Sequence, residues 1–304
     1  MLDPFWSAPS TIARLVQPLA ESLDLYTLPL HAHEVVLAFS FYSLLYVAIA
    51  PAASRRLFPS VYPQLSGRSQ INWNVRCVST VQSSFITLCA LWVINKDERR
   101  AELDWQGRLW GYTGAGGMVQ AFAAGYFLWD LAVSATSLGV LGLGSLVHAF
   151  SALLVTSLGF RPFANFYGLN FILYELSTPF LNINWFLDKL GLTGSPAQLC
   201  NAVALITTFA GSRILWGTYQ SVLIYMDVWT AITSGHPPNA ADDLHTSKLE
   251  HSLPLGRHTM PTWLVILYLG GNTTLSFLNV YWFGLMISAI KKRFTSAEAK
   301  DKTQ

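Results

Sequence analysis

A chain of 304 residues with 52% hydrophobic and 12% charged side chains carries too few charges to coat a soluble surface, where about 25% is usual. Its net charge of +2 implies no polyanion-binding face and excludes nucleic acid as an expected partner. Cys77, Cys89 and Cys200 form no CxxC or Cys/His spacing, so neither a zinc site nor a disulfide framework is expected.

The apolar residues fall in blocks near 20 residues long, the length of helix that crosses about 30 Å of hydrocarbon. The expected fold is therefore all-α, a polytopic transmembrane bundle of about seven helices. Residues 1–31 form an N-terminal arm with Asp3, Arg14 and no compact apolar run, so no signal peptide is read there. Ile12, Leu15, Val16, Leu19 and Leu23 recur at helical spacing, which suggests a short amphipathic helix on the membrane surface; a poorly ordered arm is the alternative. His31 and His33 flank the first span and are expected at the interface.

The spanning blocks run approximately 32–52, 74–94, 117–137, 139–160, 163–187, 199–232 and 261–290. Together they make a membrane domain over 32–290, followed by a charged tail over 291–304. The sixth block exceeds one crossing, so it must tilt or project. Between blocks two and three, NKDERRAELDWQGR is the most polar stretch and is expected in water. Gly139, Gly142 and Gly144 in GVLGLG have the wrong order for a dinucleotide fingerprint and are read as close-packing residues. The sequon at Asn272 lies inside the last block, out of reach of glycosylation. His236, His245, His251 and His258 lack metal-ligand spacing and are read as a solvated loop. Ten basic residues fall on the side of the C-terminal tail, against eight on the other. That bias favours a cytosolic C-terminus.

Ionisable residues in hydrocarbon are costly and usually face the bundle interior. Asp130, His148, Glu175 and Arg213 are such residues, and their depths converge on one polar layer in the cytosolic half of the bundle. Two readings stand side by side: the charges pair with each other as structural glue, or they border a cavity. Pro179 removes a helical hydrogen bond near Glu175, which shapes either a cavity or a packing joint. Glu175, Thr178 and Asn182 share one face, as do Arg213, Gln220 and Asp227 at sevenfold spacing. Asn279 in the last block completes the polar set.

The segments YFLWDL (Tyr126 to Leu131), SLVHAF (Ser145 to Phe150) and YELSTPFLNINWFLD (Tyr174 to Asp188) resemble the TLC domain family over approximately 70–290. That domain is shared by ceramide synthases and translocating-chain-associating membrane proteins. The glutamate-serine-threonine-proline segment, with Arg213 and LNVYWF (Leu278 to Phe283), looks like the branch outside the ceramide synthases. In the synthases a tandem His-His handles the acyl group, whereas this chain reads His148-Ala149.

The resemblance implies a lipid-handling or lipid-sensing protein of the endoplasmic reticulum membrane that influences membrane lipid composition, with membrane lipids as partners and no cofactor or metal. The alternative it implies is acyl-CoA-dependent N-acyl transfer, with acyl-CoA as co-substrate and His148 as acyl acceptor or base. Asp130 would then orient the imidazole. Escort of secretory cargo is a third reading, by fold analogy alone.

Overall fold

The computed structural model describes residues 1–234 and 260–301, with side chains as far as 289 in the last helix and without that of Arg99. The four loop histidines between 236 and 258 and the side chains of the charged tail lie outside the described residues. The described chain is helical with no strand. Helix α1 spans Ser10–Ser22 and leaves Leu15 and Leu19 on its exposed side. The first long helix, α2, runs Leu28–Leu57. Its ladder widens to a π stretch at Leu45–Ile49, where Pro51 lacks an N–H to donate.

Helix α3, Gly67–Lys96, starts at Ser66, whose hydroxyl accepts from the Ser69 amide. A short α4, Trp105–Trp110, caps likewise on Asp104. Helix α5, Gly114–Thr136, is the innermost, with 72% of its apolar stretch inside the bundle. Glycines let it sit close: a Cβ on Gly125 would lie 2.5 Å from the Val35 carbonyl of α2. Helix α6, Leu143–Leu158, follows, and block five divides into α7, Asn165–Ile172, a 3-10 turn at Leu173–Ser177, and α8, Thr178–Lys189. Helix α9, Pro196–Ser234, carries a π stretch at Ala210–Trp216, and α10 runs Thr262–Asp301.

Five helices, α2, α3, α5, α9 and α10, are long and apolar enough to cross a membrane. The bundle is thus an all-α membrane architecture, but block four is shorter than the span expected and block five divides at its proline into two helices. Block four is shortened because Gly142 adopts φ +84° and restarts the chain at Leu143. The GVLGLG glycines are not in close packing: a Cβ at Gly139 or Gly142 meets nothing within 4 Å, and one at Gly144 makes only an ordinary contact with the Trp282 ring at 3.9 Å. Block five is broken because Pro179 suits the first turn of a new helix and not the interior of an old one.

The polar stretch between α3 and α5 keeps Lys96, Glu98, Glu102 and Asp104 exposed. The chain at its end folds back across the bundle, where Leu109 is fully buried with Phe163, Ile224 and Tyr268. Trp105, Leu109 and Trp110 supply the apolar surface that holds it down. Arg100 stacks over the Phe166 ring at 4.4 Å. Burial pushes its guanidinium down to about 10, still charged near neutrality.

Candidate functional site

The polar residues of α9 form three rungs against the segment running from α7 into α8. The first is Arg213, buried in the π stretch. Its guanidinium donates to Ser177 Oγ at 2.9 Å, Thr178 Oγ1 at 2.9 Å and Asn279 Oδ1 at 3.1 Å. Glu175 Oε1 lies 3.8 Å away, and the Phe209 ring sits 5.1 Å from the guanidinium carbon. A widened helical turn presents this side chain, a placement that π stretches often serve. One guanidinium, with donors fixed in a planar fork, thereby ties α9 to α10 and to the turn before α8.

The second rung is Gln220, whose Oε1 accepts from Asn170 Nδ2 at 2.9 Å. Asn170 in turn accepts from Arg100 at 3.2 Å. The third is Asp227, gripped by Arg108 through two hydrogen bonds of 2.7 Å and also bonded to the Tyr167 hydroxyl. These bonds push the Arg108 guanidinium further up, so it stays charged.

The residues expected to form one polar layer thus divide. Glu175, Thr178, Arg213 and Asn279 meet directly. His148 lies within the electrostatic reach of Arg213, and Asp130 within that of Glu175. Asn182 faces away: it accepts from Arg76 at 3.0 Å and donates to Ser79 and Thr80 on α3 at 3.1 Å each. The 3-10 turn before α8 rotates Asn182 off the Glu175 face, which an unbroken helix would have kept. Gln220 belongs to the second rung, because seven residues of helix carry it about 10 Å from Arg213. No hydrogen bond joins Asp130 to His148, and His148 Nδ1 has no partner; the carboxylate expected to orient the imidazole does not reach it.

Between α5, α6, α7 and α10 lies a cavity enclosing about 840 Å³ of empty space, its mouth included. Its walls are mostly apolar, from Phe127, Val155, Phe171 and Leu275 among others. His148, Glu175 and Asn279 border one end, where the His148 ring packs 5.5 Å from Trp282. Tyr268 and Asn165 border the other, about 16 Å along α10 from Asn279. Six of the lining residues hold buried polar atoms without a hydrogen-bond partner: His148 Nδ1, both amide atoms of Asn165, the Tyr174 and Tyr268 hydroxyls, Asn272 Oδ1 and Asn279 Nδ2. An unmet buried polar group costs about 1–3 kcal/mol, so their concentration on one apolar cavity marks a place shaped for a ligand with polar groups.

Asn272, Asn165 and Tyr268 gave no sequence signal as site residues. Each is a single polar residue in an apolar block, and only the fold turns it inward. A second polar constellation lies at the start of α2. His31 and His33, expected at the interface, are buried, with 1% and 6% of their surface exposed. His31 fits there because Gly117 of α5 has no side chain to occupy the space. The spacing of His31 and Glu34, three apart on one helix, was the available signal.

A family profile described as the TLC domain matches residues 72–288. An uncharacterized TLC domain-containing protein of Schizosaccharomyces pombe is 32% identical over 94% of this chain and 87% of its own. Topoisomerase I damage affected protein 4 of Saccharomyces cerevisiae is 27% identical over 86% of this chain and 85% of its own. TLC domain-containing protein 4 of Xenopus tropicalis is 31% identical over 58% and 68%. The first and third of these relatives are named as TLC domain-containing proteins, and none of the three is named as a ceramide synthase. No solved structure matches the chain significantly.

Proposed function

The chain belongs to the TLC domain family, and on that footing we propose that it binds a fatty acyl or sphingoid lipid inside its membrane bundle and thereby handles or senses membrane lipid composition. The observation that carries this reading is the apolar cavity with its unmet polar atoms at both ends. A chain of methylenes suits the walls, at about 0.8 kcal/mol for each one buried. Hydroxyl, amine or carboxyl groups suit His148, Asn272 and Asn279. Arg213 holds Glu175 and Asn279 in register behind that polar end, so the site is preorganised.

Acyl transfer through His148 is the second reading, because the imidazole borders the cavity with Nδ1 free of any bond. Without a group to fix its tautomer, binding is the role the geometry favours. The basic bias of the loops supports a cytosolic C-terminus, and the family likeness supports the endoplasmic reticulum or a connected membrane. Lipidomic comparison of deletion and wild-type cells tests the proposal. Altered acyl profiles in sphingolipids or phospholipids are expected, and unchanged profiles would overturn it.

A further inference from the structure

We propose that Asp3, His31 and Glu34 form a binding site for a divalent metal ion of the zinc class, separate from the lipid cavity. Asp3, His31 and Glu34 lie outside the matched domain segment, at the end of the bundle where α2 and α5 begin. Their ligand atoms all fall within 4.8 Å of one another. His31 Nδ1 lies 2.6 Å from Glu34 Oε2 and 3.5 Å from Asp3 Oδ2.

Glu34 has no exposed surface, His31 is 1% exposed, and no Lys or Arg pairs with either carboxylate among the described residues. A fully buried carboxylate beside a second, partly exposed one is relieved by a proton or by compensating positive charge, because an unpaired buried charge costs several kcal/mol. A divalent cation with a neutral imidazole brings the group to zero. Independently of charge, Glu34 Oε1 is buried and has no hydrogen-bond partner, so the most enclosed carboxylate of the group keeps one ligand atom unused.

Ligands of a tetrahedral ion bonded at 2.0–2.1 Å stand about 3.3 Å apart. The His31–Asp3 separation is already close to this. Glu34 Oε2 stands closer to His31 Nδ1, at 2.6 Å, so its carboxylate must shift outward to admit an ion. The outer shell is also present. His31 Nε2 lies 2.6 Å from the Tyr112 hydroxyl, and a bond from Nε2–H to that oxygen leaves the Nδ1 lone pair aimed at the carboxylates. Asp3 keeps 25% of its side chain exposed, which gives an ion a way in. With Asp3 ligated, the ion ties the N-terminal segment to α2, which makes it a structural clamp. One imidazole and two carboxylates suit Zn²⁺ or Mn²⁺ over Ca²⁺.

The full chain, purified in mild detergent and stripped with a chelator, is titrated with Zn²⁺ and separately with Co²⁺, whose visible absorption reports its ligand field. The wild type is expected to bind one tight equivalent and to gain melting temperature with it. Asp3→Asn and Glu34→Gln, which keep size and shape, are expected to lose at least tenfold in affinity and most of the melting shift. The histidines between 236 and 258 offer stray ligands, so the difference between variants is the readout. A wild type with no tight equivalent, the site then holding protons only, would overturn the proposal. So would variants that bind and melt as the wild type does. Neither result bears on the lipid cavity.

Discussion

Arg108, on the short helix before α5, and Asp227, eleven residues of helix beyond the π stretch of α9, share two hydrogen bonds of 2.7 Å. The pair pins a polar connection to the end of the bundle and closes a ladder that begins with Arg213. Each rung joins α9 to a different partner, and the spacing of seven keeps all three on one face.

Removing Asp227 strands a guanidinium and the Tyr167 hydroxyl together. Asp227→Ala is expected to destabilise the protein by about 3 kcal/mol, the usual cost of breaking a buried pair from one side. Thermal unfolding in detergent measures it. The double variant with Arg108→Ala should lose less than the two single losses added together, and simple additivity would mean the bonds contribute nothing specific.

Arg213 makes a stronger case, because its donors serve three segments at once. Arg213→Met is expected to cost about 3–5 kcal/mol, since Glu175 is then buried without its cation. Adding Glu175→Gln should restore part of that loss. Arg213→Lys should stay well below the wild type in the same melting assay, because an ammonium cannot reproduce the fork.

Ala164 precedes α7 at φ +59°, in the left-handed region, and lines the cavity. A side chain there is strained by about 1 kcal/mol, and glycine is not. Ala164→Gly is therefore expected to raise stability slightly, by about 0.5–1 kcal/mol, in contrast to the loss glycine brings inside a helix. A melting point lowered by the change would show that the turn is not held in that conformation.

His148 offers its Nδ1 to the cavity, a bond worth about 0.5–1.5 kcal/mol to a ligand. His148→Ala should weaken retention of a co-purifying lipid by up to about tenfold while leaving the melting temperature near that of the wild type. Ceramide formed from a sphingoid base and acyl-CoA by the wild type, and lost in this variant, would establish the transfer reading instead.

The membrane character and the convergence of Glu175, Thr178, Arg213 and Asn279 were legible in the sequence, because charge in an apolar block has few places to go. Asn182 was not, since a single proline changes the local helix type and rotates everything after it. The docking of α4 was less legible, because Trp105, Leu109 and Trp110 follow directly on a run of charges that stays exposed. The Asp3–His31–Glu34 cluster depended on a glycine 86 positions beyond His31, a long-range complementarity that no local pattern displays.

The lipid cavity can be challenged without disturbing the fold. Gly168 borders it, and a Cβ at that position meets nothing within 4 Å, so Gly168→Phe can place a ring in the space at little backbone cost. Native mass spectrometry of wild type and variant in mild detergent is the most direct measurement. The wild type is expected to retain one class of acyl or sphingoid lipid, and the variant to lose at least nine-tenths of it at an unchanged melting temperature. A wild type that carries no specific lipid, or a variant that carries as much, would contradict the account.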